Sequence, residues 1–386
     1  MAEEANPSTR ALARLRAEME SAVTSCTYLD HAAVSPLPRR VREAMAEYTE
    51  RRGITFGHRE ELEDIPVRLR QAIARLIGAA AEEIAFVQNT SHGLNIAAQS
   101  LPLRPGDNVV FCDMEFPSNV YPWMLLGRQR DIEARCIPHD GGGLTLEALR
   151  AHADERTRVV AVSSVEFLTG YRTDLEAIGK WCRERGTYFV VDAIQSVGAA
   201  PLDVGSCYVD FLSCGAPKWL MGPVGTGFLY CRQGLLERVV PPMAGCVSVV
   251  GWEDWRDYDL TFLPDAQRFH MGGPNLVGMT GLLAAAELLL EVGVESIHQQ
   301  TLHLTDQLIA DLVQRGYRIA SSRDPARRSA IVSFAVSDDP SAVHARLQEA
   351  GVVVSLREEY IRVSPHGYNT EHEIARVGEV LGDSAA

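Results

Sequence analysis

TYFVVDAIQSVGAAPLDVGSCYVDFLSCGAPKWLMGPVGTGFLYC, residues 187–231, contains three short β-branched or aromatic runs, TYFVVD, VDFLS and TGFLYC, separated by small residues, glycines and prolines. Runs of this length and composition read as strands buried in a sheet. Two charged residues in the stretch need a reason. Asp192 closes an apolar strand, where a carboxylate is costly without a cation or a hydrogen-bond donor. Lys218 is the only charged residue between Asp210 and Arg232, and apolar surroundings favour loss of its proton.

Outward from this stretch, short apolar runs alternate with helical stretches from about Glu83 to Cys231. EIAFV, DNVVFC and TRVVAVSS precede the three runs above, and TDLEAIGKWCRERG has helical spacing with Thr173 or Asp174 as its start signal. Such alternation predicts a parallel sheet covered by helices. Polar residues follow the strand ends: NTSHG after Val87, DMEFPSN after Cys112, EFLTG after Val165, and Asp192 with Gln195 after Val191. Ligands of open α/β sheets bind beyond the carboxyl ends of the strands, so these segments are candidates for one shared site. After Pro274 the pattern becomes one long helix running to about Gln314. YRIA, AIVSFAV, GVVVSL and YIRVSP then predict a separate, smaller α+β lobe. The first thirty residues read as helix until TYLDHAAVSPLP, a loop by its prolines and small residues.

The 386 residues are enough for two lobes. Acidic residues outnumber basic ones by 51 to 37, a formal charge of −14 with no Lys/Arg cluster, which argues against nucleic-acid or anionic-membrane partners. The N-terminal segment lacks the order of a signal peptide, and a cytoplasmic protein is expected. Eight cysteines without CxxC spacing suit reduced thiols better than a disulfide framework or a zinc site, and no metal is expected.

The candidate site residues each have two readings. Lys218 is either a nucleophile toward a carbonyl or a surface lysine on a glycine-rich turn. Asp192 either pairs with a protonated ring nitrogen or caps the segment starting at Ala193. Thr90 and Ser91, opening a helix after EIAFV, are either a phosphate cup or plain caps. Arg362, in an apolar strand, either receives a carboxylate ligand or makes a structural salt bridge. Taken together, the four describe the holding of pyridoxal phosphate and an amino-acid substrate.

On these residues the chain resembles the class V aminotransferases, the cysteine desulfurase-like group of fold-type I pyridoxal-phosphate enzymes. The resemblance runs from about Tyr28 to Ile374. It rests on YLDHAAVSPLP, EIAFVQNTSHGLN, MEFPSNVYPW, VDAIQSVGAAPLDV, VDFLSCGAPKWLMGPVGTGFLY, FHMGGPNLVGMTGL and IRVSPHGYNTEHEI. It implies a mostly parallel seven-stranded sheet with helices on both faces in a large domain, residues 28–270. Residues 1–27 and 271–386 would form the small α+β domain. It also implies that Lys218 joins pyridoxal 5′-phosphate covalently, that Asp192 pairs with the ring nitrogen, and that Gln195 lies near the ring hydroxyl. Thr90 and Ser91 would bind the phosphate, Phe116 would stack on the ring, and Arg362 would receive the substrate carboxylate.

Three departures from the desulfurase pattern bear on the reaction. Phe116 stands where desulfurases usually have a histidine. VVVSLREEYIRV has no loop cysteine, and none occurs after Cys246, which excludes a persulfide relay on that loop. Gly215 and Pro217 replace a serine and a histidine, and Gly273 stands where a neighbouring subunit commonly offers threonine. Backbone N–H groups or His92 are the expected substitutes at the phosphate.

The expected function is a lysine-based pyridoxal-phosphate enzyme acting on a small amino acid, by transamination or by β-elimination of the carbon–sulfur lyase type. Epimerisation stays open because IRVSPHGYNTEHEI is similar to isopenicillin N epimerase-like members, although His31, His58 and His92 are the only second bases in view and each reads better as structural. A protein of this fold that binds a cofactor or a partner without turnover is the alternative of a different class. A homodimer with a shared site is implied.

Overall fold

The computed structural model describes residues 7–54 and 59–383; His58 lies outside them. The predicted α/β sheet is present. Its strands are numbered after a short N-terminal strand, β1 (Thr27–Tyr28). They are β2 (Ile84–Val87), β3 (Asn108–Cys112), β4 (Glu133–Ile137), β5 (Thr157–Ser163), β6 (Tyr188–Asp192), β7 (Phe211–Gly215) and β8 (Gly227–Cys231). Their order is β2-β8-β7-β6-β5-β3-β4, and only β8 runs against the rest.

Strand alternation divides the interior into two cores. Val160, Val162, Val191 and Leu212 face one, and Val159, Ala161, Val190 and Phe211 face the other. Helices Arg59–Ile77, Leu175–Arg185 and Leu276–Val292 cover the first face; Thr90–Ser100 and Tyr121–Arg130 cover the second. Each fully buried Val, Leu or Phe here contributes about 1.5–3 kcal/mol relative to exposure. β4 has no apolar run because it is an edge strand. Its Arg135 pairs with Glu133 at 2.8 Å and with Asp154 at 3.0 Å near the surface.

Two sequence expectations need correction. The long helix after Pro274 is two helices, Leu276–Val292 and Val294–Gln314, bent by 77° at Gly293, whose φ of +83° a side chain would resist. The first of them packs in the core shared with the sheet, together with Leu15 and Met19. The sheet core also takes in Ile297 and Tyr368 from beyond that bend.

The smaller lobe holds β9 (Arg318–Ile319), β10 (Val332–Ala335), β11 (Val352–Val353), β12 (Ser355–Arg357) and β13 (Tyr360–Val363). Four of them form the antiparallel order β12-β13-β10-β9, while β11 pairs in parallel with β1. Thr27 and Tyr28, read as the start of a loop, are thus strand residues of this lobe, and Leu29 is in its core with Leu304, Phe334 and Ile361. Among the described residues, no single helix is long and apolar enough to cross a membrane.

Candidate active site

Asp192, Ser163 and Gly215 end three adjacent parallel strands, so the segments that follow meet at one edge of the sheet. After β7 the chain turns tightly. Met221 N donates to Lys218 O at 3.0 Å and Gly222 N to Ala216 O at 2.9 Å, with Met221 in the left-handed region at φ +53°. The turn holds Lys218 with its amine 5.9 Å from the centroid of the Phe116 ring. Burial lowers the amine's pKa to about 8; Asp192 opposes that shift, while Arg362 and Arg357 add to it.

Asp192 is buried, and its Oδ1 accepts from Ile194 N at 3.0 Å. Burial raises the carboxyl to about 6, against the pull of that N–H and of Lys218. The capping alternative is not realised, because Ala193 opens a run of turns and no helix.

Helix Thr90–Ser100 starts beside the end of β7. Asn89 caps it, accepting from His92 N at 2.9 Å, while Gly215 N donates to Thr90 Oγ1 at 2.9 Å. A Cβ at position 215 would lie 3.2 Å from that oxygen, so glycine lets the helix end approach the strand. Ser91 Oγ is 2.7 Å from Ser118 Oγ, and together with the N–H groups of the first turn this leaves a place suited to an anion. His92 lines a different cleft, and burial lowers its pKa.

Phe116 is 43% exposed and meets Phe167 edge-on at 5.2 Å. Its loop is anchored by the buried Glu115, which accepts from Ser163 N at 2.6 Å, Ser163 Oγ at 2.7 Å and Asn119 Nδ2 at 2.9 Å. Both polar ends of Gln195 are used within the chain: Nε2 donates to Ala32 O at 3.0 Å, and Oε1 accepts from Trp219 Nε1 at 2.8 Å.

Arg362, on β13, is nearly solvent-free. Nη1 donates to Phe167 O at 2.8 Å, Nη2 lies 3.3 Å from Ser355 Oγ and 3.5 Å from Asp30 Oδ1, and Nε has no partner. Burial lowers the guanidinium to about 10, while Asp30 works against that shift. The structural salt bridge considered for Arg362 therefore exists, yet one buried donor remains unused.

The segment Leu29–Ser35 joins these parts. Ser364 N donates to Leu29 O and His31 N to Ser364 O on the side of Arg362; Ser35 N donates to Pro217 O beside Lys218. His31 is wholly buried, with Nε2 3.1 Å from Tyr368 Oη and Nδ1 3.2 Å from Ser364 O, packed among Trp219 and His366.

Gly273, expected to serve a neighbouring subunit's site, lines a cleft of about 910 Å³ whose lining does not include Lys218. It is exposed and shares that cleft with Phe86, His92, His270 and Asn275. Sequence reasoning missed Asp30, Ser355, Glu115 and Glu166. All four lay inside quoted segments, Asp30 in YLDHAA, Glu115 in MEFPSN, Glu166 in EFLTG and Ser355 in GVVVSL, but nothing local gives them their partners.

The residues fit pyridoxal phosphate. They supply an amine with a lowered pKa, a buried carboxylate at the end of the adjacent strand, a helix N-terminus with a nearby hydroxyl, an exposed ring and a guanidinium with an unpartnered Nε.

The chain matches the aminotransferase class-V family over residues 27–377. It is 32% identical to a probable cysteine desulfurase of Methanothermobacter thermautotrophicus, covering 93% of this chain and 94% of that one. It is 30% identical to an uncharacterized aminotransferase of Bacillus subtilis, covering 79% of this chain and 80% of that one. Among solved structures it is similar to the apo cysteine desulfurase of Thermococcus onnurineus, with TM-score 0.84 and 28% identity over 93% of this chain and 94% of that one. The protein therefore belongs to the aminotransferase class-V family of pyridoxal-phosphate enzymes.

Proposed function

We propose that Lys218 binds pyridoxal 5′-phosphate covalently and that the enzyme acts on a small amino acid by transamination or β-elimination. The observation that carries this reading is the lysine itself: an amine brought down to about 8 beside the buried carboxylate of Asp192. When bound, pyridoxal phosphate supplies an electron sink for the bond broken at the substrate α-carbon. Asp192 would hold a proton on the ring nitrogen, and Phe116 would cover a ring face. Ser91 and the first-turn N–H groups of helix Thr90–Ser100 would take the phosphate. Arg362 Nε would receive the substrate carboxylate, and the Lys218 amine, once released, would take and return the α-proton.

Relatives named cysteine desulfurase support carbon–sulfur chemistry. With no cysteine after Cys246, the β12–β13 hairpin before Arg362 has no thiol to accept sulfur. A homodimer is part of this reading, supported by the exposed Trp255, Tyr258 and Leu260 and by the cleft at Gly273.

The test is borohydride reduction of purified holoenzyme followed by peptide mass spectrometry. The holoenzyme is then incubated with an amino-acid panel, with and without α-keto acids, while pyruvate, ammonia, sulfide and α-hydrogen exchange are followed. The tag is expected on the peptide containing Lys218 and is lost in Lys218→Ala. A tag on another peptide overturns the assignment, and sulfur accumulating as a protein persulfide overturns the proposed fate of the substrate.

A further inference from the structure

Arg357 has no role in the chemistry above, yet the hairpin places it at the same site. In the β12–β13 pairing, Ser355 lies opposite Arg362 and Arg357 opposite Tyr360. Paired residues share a face and side chains alternate along a strand. Ser355, Arg357, Tyr360 and Arg362 therefore stand on one side of the hairpin, while Leu356 and Ile361 turn toward the small-lobe core. Ser355 and Arg362 both reach Asp30, which identifies their side as the one facing the site. Arg357 is two residues further along the strand, about 7 Å from Ser355 by the rise of an extended chain. Its charge is felt at Lys218, Arg362 and Asp30.

Two further facts set this arginine apart. It is exposed and, among the described residues, its side chain makes no hydrogen bond or ion pair, although Glu358 and Glu359 follow it directly at the hairpin turn. The chain as a whole has 51 carboxylates for 37 cations, so an unpaired guanidinium is not what its general electrostatics would leave. Arg362, by contrast, is buried and already in contact with Asp30 and Phe167. The site thus presents two guanidinium groups at different depths, the deeper one with its Nε unused and the outer one exposed.

We propose that Arg357 receives an anionic group on the substrate side chain, and that the enzyme selects amino acids bearing a second acidic group, of the aminodicarboxylate class. This rests on the reading that Lys218 performs the chemistry and Arg362 holds the α-carboxylate. A planar guanidinium pairs with a carboxylate through two parallel N–H donors, which a neutral amide of the same size cannot match.

The experiment uses the holoenzyme with L-aspartate and L-glutamate against the size-matched L-asparagine and L-glutamine, following the visible absorbance change and product formation. Wild type is expected to prefer the acidic members in kcat/KM by roughly 10–100-fold. Arg357→Leu should abolish that ratio, Arg357→Lys should keep part of it, and Arg357→Glu should turn the preference toward L-ornithine. A wild-type enzyme that favours the neutral amino acids overturns the proposal, as does an Arg357→Leu enzyme that loses activity equally toward all four. An enzyme whose spectrum responds to no amino acid overturns the underlying reading as well, which separates the two failures.

Discussion

The carboxyl groups of Glu115 and Glu166, both sealed from solvent, lie within 4.8 Å of each other, with the Cys112 thiol as their third neighbour. Glu115 is well supplied with donors, whereas Glu166 Oε2 has no partner. Burial raises Glu115 to about 7; burial and the neighbouring Glu115 charge raise Glu166 further still. Two carboxylates this close do not both ionise cheaply, so the pair keeps a proton at neutral pH.

Such groups stabilise the fold most below the unfolded carboxyl pKa, and the contribution is lost as pH rises through the folded value, near 7 for Glu115. Glu166→Gln keeps the shape and removes one ionisation. Relative to wild type it should gain stability as pH rises from 5 to 9. Urea titrations at the two pH values measure this; parallel pH dependence of the two proteins would contradict it.

The acid limb has a different origin. Burial lowers His366 to about 4, and His31 is lowered by burial and by His366. Here the unfolded chain takes up protons that the folded chain refuses, so stability present above about 6.5 is lost as pH falls toward 4. His366 alone should account for about 2 kcal/mol of loss between pH 7 and pH 5. His366→Gln, less stable overall, should show a shallower slope in the same titration; an unchanged slope would assign the acid limb elsewhere.

Asp192→Asn leaves a side chain of the same size without the anion. The cofactor should still bind, while kcat falls by roughly 100-fold or more, the size typical of losing one fixed electrostatic partner of the reacting group. The Lys218 amine, deprived of the carboxylate that raises its pKa, should titrate below about 8. Steady-state rates and a pH profile check both parts, and a kcat within tenfold of wild type would remove Asp192 from the mechanism.

Gly93 lies where helix Thr90–Ser100 touches β7. A Cβ there would sit 2.2 Å from Ser213 Oγ, the hydroxyl that donates to Thr90 O. Gly93→Ala should push the helix end away from the strand, costing about 1–3 kcal/mol and weakening cofactor retention. Gly93→Ala combined with Ser213→Gly should recover most of the stability. Thermal melts and cofactor dialysis give the answer, and a neutral single variant would show that the contact is not strained.

The parts of the fold legible in the sequence are those where a strand is buried on both faces. β3, β6, β7 and β8 are buried along their whole length, and the ends of β6, β7 and β2 point to Asp192, Lys218 and Thr90 without any knowledge of pairing. β4 escaped because an edge strand with Glu133 and Arg135 has no apolar signature. The bend at Gly293 escaped because the apolar spacing continues through it, and only a backbone angle breaks the helix. Asp30, Ser355, Glu115 and Glu166 acquire their roles from contacts across long stretches of sequence, such as the 332 positions between Asp30 and Arg362.

Lys218 is carried by the large sheet and Arg362 by the small one, and the ribbon Leu29–Ser35 is bonded to the neighbours of both. Its length is consequently a ruler. Inserting one residue between Leu29 and Ser35 would put amine and guanidinium out of step, although neither is altered and both sheets stay intact. The chain should accept the same insertion with little penalty at the exposed turn Arg104–Gly106, which precedes β3 at the opposite end of the sheet.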